Sequence, residues 1–261
     1  MKILFIGDIV GRIGRRMIKD YLSSLVEKYE IDFVIANGEN ASHGKGLLRH
    51  HYMELIDSGI DVITLGNHYD SKKDLRGYID RVDRLIRPLN LTCEYPGEGS
   101  AVFDVNGVSV RVTNVLGSAF MKEEVNNPYY SLIDYLDSAE EQATVHIVDF
   151  HAEATGEKIC FAYALDGKVS AVLGTHTHVQ TRDYRILEGG TAFISDVGMT
   201  GLYDGALGFD KGTVVNKLMY GNNVRFDIPN EGRGLFSAVV LNIDDISGKC
   251  IEIFPIYQVE K

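Results

Sequence analysis

Cysteine is scarce in this chain: Cys93, Cys160 and Cys250 are the only three in 261 residues. They lie far apart and form no close metal-binding pair, and their odd number argues against a disulfide framework. Basic charge is also in deficit. The 26 Lys and Arg stand against 37 Asp and Glu, a formal net charge of −11, which argues against non-specific nucleic-acid binding, since that needs a basic surface. No apolar run reaches the length of a membrane span. The opening Met1-Lys2-Ile3-Leu4-Phe5-Ile6 turns to Gly-Asp at once, without the longer apolar stretch and small-residue cleavage site of a signal peptide. The expectation is a cytoplasmic protein with no membrane partner. Repeats, low-complexity segments and linkers are missing too, so residues 1–261 read as a single domain.

What the chain has is a recurring arrangement of apolar runs ending in polar, ligand-type residues. Residues 2–10 read as a strand reaching Asp8, followed by a helical pattern over 15–29. Asp32–Ala36 reads as a second strand running into Asn37-Gly38-Glu39-Asn40. A helix over 48–58 follows, with Gly59 past its end. Asp61–Leu65 reads as a third strand, ending in Gly66-Asn67-His68, before a helix over 72–82. Three strand–loop–helix units predict an α/β core with parallel pairing, its site carried by the loops at one end. Asn106-Gly107, between two apolar runs, signals a hairpin, so antiparallel strands join the sheet system. A helix is expected over 128–140. Further strands are expected over 144–150, ending at His151, over 169–173, over 191–194, and at 235–243 and 250–258.

Gly174-Thr175-His176-Thr177-His178 follows the 169–173 strand. In an extended backbone, residues two apart lie on the same side, so His176 and His178 would face one way. Each candidate also has a plainer reading. Asp8 could cap the next helix, and one histidine of the pair could be a structural one bonded to backbone. Asp196 is expected as a turn or supporting residue rather than a ligand. His50 and His51 are expected at the surface or in packing, and His146 in the core or on a sheet face. His43 and Lys45, in a glycine-bearing loop, stay open between contacting substrate and being solvated.

Taken together, Asp8, Glu39, Asn67, His151, His176 and His178 share the same placement at strand ends. Mixed oxygen and imidazole ligands suit zinc, iron or manganese rather than calcium or magnesium. They also outnumber the ligands of one catalytic zinc. Two metals sharing a carboxylate is the economical reading, and such a pair can clamp a phosphoryl group and activate water. The resulting positive site would recruit a phosphodiester anion into an otherwise acidic protein.

The order Asp8, Glu39-Asn40, Gly66-Asn67-His68, His151 and Gly174–His178 resembles the calcineurin-like metallophosphoesterases. Phe5-Ile6-Gly7-Asp8, Asn37–Ala41 with His43–Gly46, Asp149–Thr155 and Ser195–Gly201 look more specifically like the bacterial YmdB phosphodiesterases, over residues 3 to about 245. The resemblance implies a four-layer αββα sandwich of two mixed sheets. It also implies two divalent or trivalent transition-metal ions, of iron or manganese, with zinc also compatible. Asp8, Asn40 and His178 would serve one metal, Asn67, His151 and His176 the other, with Glu39 bridging and His68 donating a proton to the leaving alkoxide. The implied activity is hydrolysis of 2′,3′- or 3′,5′-cyclic nucleotides by attack of metal-bound hydroxide. Rival readings are a phosphomonoesterase or nucleotidase on the same scaffold and a non-catalytic, metal-bound nucleotide-binding regulator. A homo-oligomer is compatible with the sequence.

One departure from the broader superfamily stands out. Its first motif is Asp-x-His, where this chain has Val10, and its second is Gly-Asp, where this chain has Gly38-Glu39. Asn40 would replace the lost imidazole, and a neutral amide binds metal less tightly, so that metal is expected to be the more labile.

Overall fold

The computed structural model describes residues 1–139 and 141–261. β1 (Lys2–Ile6) is followed by the short β2 (Asp8–Ile9), so the strand expected over 2–10 is in fact two. Gly7 separates them. A Cβ there would collide with the Gly198 carbonyl oxygen, the same oxygen that accepts the Asp8 N–H at 3.1 Å. Only glycine allows the two backbones to approach this closely.

β1, β3 (Phe33–Asn37), β4 (Val62–Thr64) and β5 (Leu85–Ile86) pair in that order, all parallel. The hairpin signal holds. β6 (Ser100–Val105) and β7 (Val108–Leu116) pair antiparallel about Asn106 and Gly107, both at positive φ as a type I′ turn requires. β8 (Val145–His151), β9 (Ala171–Thr175), β10 (Arg185–Ile186) and β11 (Ala192–Ile194) complete a second, mixed sheet with strand order β10-β11-β9-β8-β7-β6. β12 (Met199–Leu202), β13 (Gly234–Ile243) and β14 (Cys250–Val259) belong to the first sheet, where β13 lies antiparallel to β1.

Three separate cores show how the layers stack. Leu4, Ile6, Val34 and Ile63 face Ile13, Met17, Ile18, Leu22 and Leu25 of α1 (Gly11–Tyr29) and Leu55 of α2 (Arg49–Asp57). The alternate residues Ile3, Phe5 and Ile35 point the other way, onto Val110, Val112, Ile147 and Leu173 of the second sheet. That sheet's outer face, with Val148, Phe150, Val172 and Phe193, packs on Leu132 of α4 (Pro128–Ser138) and Phe161 and Ala162 of α5 (Thr155–Ala164). The order is helix, sheet, sheet, helix, the expected αββα sandwich. Because central strands are covered on both faces, they read in sequence as near-continuous apolar runs.

The helix boundaries differ from expectation. α1 begins at Gly11 rather than 15, since Gly11 takes a positive φ and turns the chain directly out of β2. The helix expected over 72–82 is α3 (Asp74–Tyr78) followed by one 3₁₀ turn, Ile79–Arg81. α4 stops at Ser138, and the expected end at 140 lies outside the described residues. α5 and α6 (Lys211–Leu218) were not expected. Among the described residues no helix is long and apolar enough to cross a membrane.

Candidate active site

The carboxyl ends of the parallel strands of both sheets meet at one cleft. Asp8 opens β2, Glu39 and Asn40 follow β3, and Asn67 and His68 follow β4. His151 ends β8, and His176 and His178 follow β9. Every residue expected at the site reaches it. At one corner His151 Nε2 lies 3.0 Å from Asn67 Oδ1, 3.2 Å from Glu39 Oε1 and 3.0 Å from His176 Nδ1. At the other, Asn40 Nδ2 lies 3.4 Å from Asp8 Oδ1 and 3.2 Å from His178 Nε2. Glu39, fully buried, reaches both, because its Oε1 also accepts from Asn40 Nδ2 at 3.2 Å. His68 stands beside it. Its backbone N–H donates to Glu39 Oε2 at 2.8 Å, and its Nδ1 lies 2.8 Å from Asn40 Oδ1.

His176 and His178 do not share a face. β9 ends at Thr175, and the two histidines then take φ of 102° and 66°. The backbone is therefore not extended, and the side chains go to opposite corners. Left-handed conformations at non-glycine residues cost on the order of 1–3 kcal/mol and persist where the surroundings over-determine them. The surroundings here include Asp8, whose Oδ2 accepts the His176 N–H at 3.1 Å, and Leu207, whose carbonyl lies 2.9 Å from His178 Nδ1.

The donor chemistry fits a cation. Glu39, His151 and His176 present ligand atoms all within 4.8 Å of one another. With Asn67 Oδ1 they bring several lone pairs face to face, an arrangement that needs a proton or a metal between them. Burial drives His151 down, but Glu39, Asp8 and Asp149 more than offset it and carry the imidazole up to about 9. Burial also works against the charge on Glu39, yet His151 and His68 hold that carboxyl well below the usual range. Burial raises Asp8, and burial together with the His151 charge lowers His176 to about 3. Asn40 is the exception to the fit: its carbonyl faces His68 and its amide N–H₂, which cannot ligate, faces Asp8 and His178. A half-turn about the terminal torsion would present Oδ1 instead.

Two buried supports were not legible beforehand. Asp149 is fully buried and accepts from Thr175 Oγ1 at 2.7 Å, Thr64 Oγ1 at 2.5 Å and Asn37 Nδ2 at 2.9 Å. Since the Thr175 hydroxyl proton goes to Asp149, its oxygen accepts from His151 Nδ1 at 2.8 Å. That fixes the tautomer leaving Nε2 bare toward the cleft. Asp196 is a support, as expected. Its carboxylate accepts from the Thr177 N–H and hydroxyl at 2.9 and 2.7 Å, and from Lys158 Nζ at 2.8 Å. Lys158 comes from α5, where Lys158, Phe161 and Ala162 are buried at helical spacing and Leu165 follows directly after the helix. A lysine on that apolar face was the available signal.

Both members of the Lys158–Asp196 pair are buried, with side-chain exposures of 2% and 1%. Removing one partner of a buried pair leaves an uncompensated charge and costs about 3–5 kcal/mol. Lys158→Met is therefore expected to lower the unfolding free energy by that amount in urea titrations. A loss below about 1 kcal/mol, the scale of an exposed pair, would show the carboxylate satisfied without the lysine.

Among the remaining histidines, His51 packs against Ser42 Oγ at 2.7 Å and His146 is buried against Thr113 Oγ1 at 2.8 Å, while His50 is exposed. His43 and Lys45 are exposed and line different cavities.

A family profile described as "YmdB-like protein" matches residues 4–256. The chain belongs to the YmdB-like family. A Bacillus subtilis (strain 168) relative, named 2′,3′-cyclic-nucleotide 2′-phosphodiesterase, is 46% identical over 253 residues, 97% of this chain and 95% of that protein. A Mycoplasma pneumoniae crystal structure described as a novel phosphatase superposes with a TM-score of 0.93 at 37% identity, covering 99% of this chain and 93% of that one. A Thermus thermophilus crystal structure, described as a hypothetical protein, does so with a TM-score of 0.92 at 38% identity over the whole of both chains.

Proposed function

We propose that this YmdB-like protein is a metal-dependent phosphodiesterase that opens cyclic nucleotides, with 2′,3′-cyclic nucleotides as the first substrate class and 3′,5′-cyclic ones as the second. The observation that carries this reading is the convergence of carboxylate, amide and imidazole ligand groups on one cleft, with His68 beside them. The name of the Bacillus subtilis relative supports the substrate class. Asp8, Asn40 and His178 would hold one metal ion and Asn67, His151 and His176 the other, with Glu39 shared. Iron or manganese suits this donor set, and such ions, when bound, supply charge for the phosphoryl oxygens and lower the pKa of water. His151 is kept in its ligating tautomer by Thr175 and Asp149.

His68 would donate the proton that the departing ribose oxygen needs. Its Nδ1 is turned to Asn40 Oδ1 and Glu39, which leaves Nε2 for substrate.

The test is hydrolysis of adenosine 2′,3′-cyclic phosphate, adenosine 3′,5′-cyclic phosphate and p-nitrophenyl phosphate by manganese-loaded protein, beside a chelated control. The expected result is turnover of the 2′,3′ ester to 3′-AMP, lost on chelation and exceeding that of the monoester. Faster turnover of the monoester would move the assignment to a phosphomonoesterase.

A further inference from the structure

The two ring nitrogens of His176 meet different partners. Nδ1 lies 3.0 Å from His151 Nε2, at the corner shared with Glu39 and Asn67, and Nε2 lies 3.2 Å from Glu153 Oε2. The topology brings this second pair together. β8 and β9 are parallel neighbours with His151 opposite Thr175, so the segments that follow the two strands leave side by side. Glu153 stands two positions past the end of β8, and His176 one past the end of β9.

The plainer reading of Glu153 is a carboxylate placed ahead of α5, where the helix dipole favours negative charge. The contacts favour the histidine instead. α5 has no side-chain cap, and among the described residues the ionisable partner of the Glu153 carboxylate is His176. The contact also supplies something the backbone does not. Asp8 accepts the His176 N–H and fixes the main chain at its left-handed φ, but that bond leaves the ring free to turn. Glu153 fixes the ring.

A neutral imidazole carries one hydrogen, and its other nitrogen is a bare acceptor. With the hydrogen on Nδ1, bare Nε2 would face a carboxylate, acceptor against acceptor. With it on Nε2, the ring donates to Glu153, and Nδ1 is bare beside His151 Nε2. Only the second arrangement can ligate a cation at that corner. His151 reaches the same condition through the Thr175 hydroxyl with Asp149 behind it, and His178 Nδ1 lies 2.9 Å from the Leu207 carbonyl. The outer partners are thus a hydroxyl, a backbone carbonyl and, for His176, a half-exposed carboxylate.

We propose that Glu153 is a positioning residue of the metal centre, accepting the Nε2 hydrogen of His176 and so holding Nδ1 bare toward the cation. This role rests on the metal-dependent reading above. A carboxylate partner raises the basicity of the imidazole, and losing such an outer contact typically costs about 10–100-fold in metal affinity. Because Asn67, His151 and His176 form one corner, the loss falls on one ion of the two.

The experiment is chelator competition on zinc-loaded protein, wild type beside Glu153→Ala and Glu153→Gln, with circular dichroism to confirm folding. Zinc is d¹⁰ and diamagnetic, so the same samples report the His176 ring hydrogen by nitrogen-edited NMR. In Glu153→Ala one zinc ion should bind about 10–100-fold more weakly while the other is unchanged. The His176 Nε2 hydrogen, held in wild type, should exchange with solvent. Glu153→Gln keeps a carbonyl acceptor without the charge, so it should keep that hydrogen and recover part of the affinity. Unchanged zinc binding in Glu153→Ala would overturn the role. So would equal weakening of both ions, or a glutamine variant no better than alanine, since either leaves only a general effect of charge. Wild type that binds zinc with the His176 hydrogen on Nδ1 overturns the role of Glu153 alone. Wild type that binds no zinc overturns the metal-dependent reading, and the role of Glu153 falls with it.

Discussion

Glu39→Gln is expected to cut diesterase turnover by roughly 10³-fold or more, the scale of removing a preorganised charged group from a catalytic centre. Glutamine keeps the shape and one carbonyl oxygen, so packing around this fully buried position is preserved. What changes is the charge and half of the acceptor capacity. Glu39 Oε1 lies 3.2 Å from His151 Nε2, from His68 Nδ1 and from Asn40 Nδ2, and Oε2 accepts the His68 N–H at 2.8 Å. An amide cannot accept on both sides, so one of these contacts becomes donor against donor. Metal content measured by mass spectrometry should fall together with activity, because Glu39 Oε1 touches both His151 at one corner and Asn40 at the other. Circular dichroism and urea titration accompany the assay, because removing one partner of the buried Glu39–His151 contact costs about 3–5 kcal/mol, and metal content is read on the folded fraction. A variant that keeps two metals per chain and turnover within about tenfold would show that Glu39 is not the shared ligand.

The fold was legible because its signals are local. Buried parallel strands announce themselves as unbroken apolar runs, and Asn106-Gly107 names its own turn. Polar residues directly after such runs mark the carboxyl ends, which is why Asp8, Glu39, Asn67 and His151 could be picked out before any coordinates. What was not legible depends on residues distant in sequence. The break at Gly7 arises from the Gly198 carbonyl, 191 positions on, pressing against a glycine that has no side chain to repel it. His176 and His178 looked like neighbours on one face, since period-two alternation presumes an extended backbone. Asp8 and Leu207 hold them in the left-handed region instead. Asp149 means something only once burial is known, for an exposed Asp at that position would carry no information, whereas Lys158 stood out only as a lysine on the apolar face of α5.

His68→Ala is expected to separate substrates by their leaving groups. With adenosine 2′,3′-cyclic phosphate, kcat should fall about 10²–10⁴-fold, the usual worth of a positioned general acid. With bis(p-nitrophenyl) phosphate the fall should be about tenfold or less, because p-nitrophenolate departs without a proton whereas a ribose alkoxide does not. The geometry sets the form in which His68 acts. Glu39 Oε1, 3.2 Å from Nδ1, is an acceptor, so Nδ1 carries a hydrogen in either charge state. A hydrogen on Nε2 as well exists only in the imidazolium, and that is the donating form. Once the proton has gone, the ring stays in place through the Glu39 contact, ready to be reprotonated from solvent, which its side-chain exposure of 26% permits. If both substrates lose the same factor, His68 orients the cleft rather than protonating the leaving group. If neither loses activity, the proton comes from water and the imidazole is a bystander.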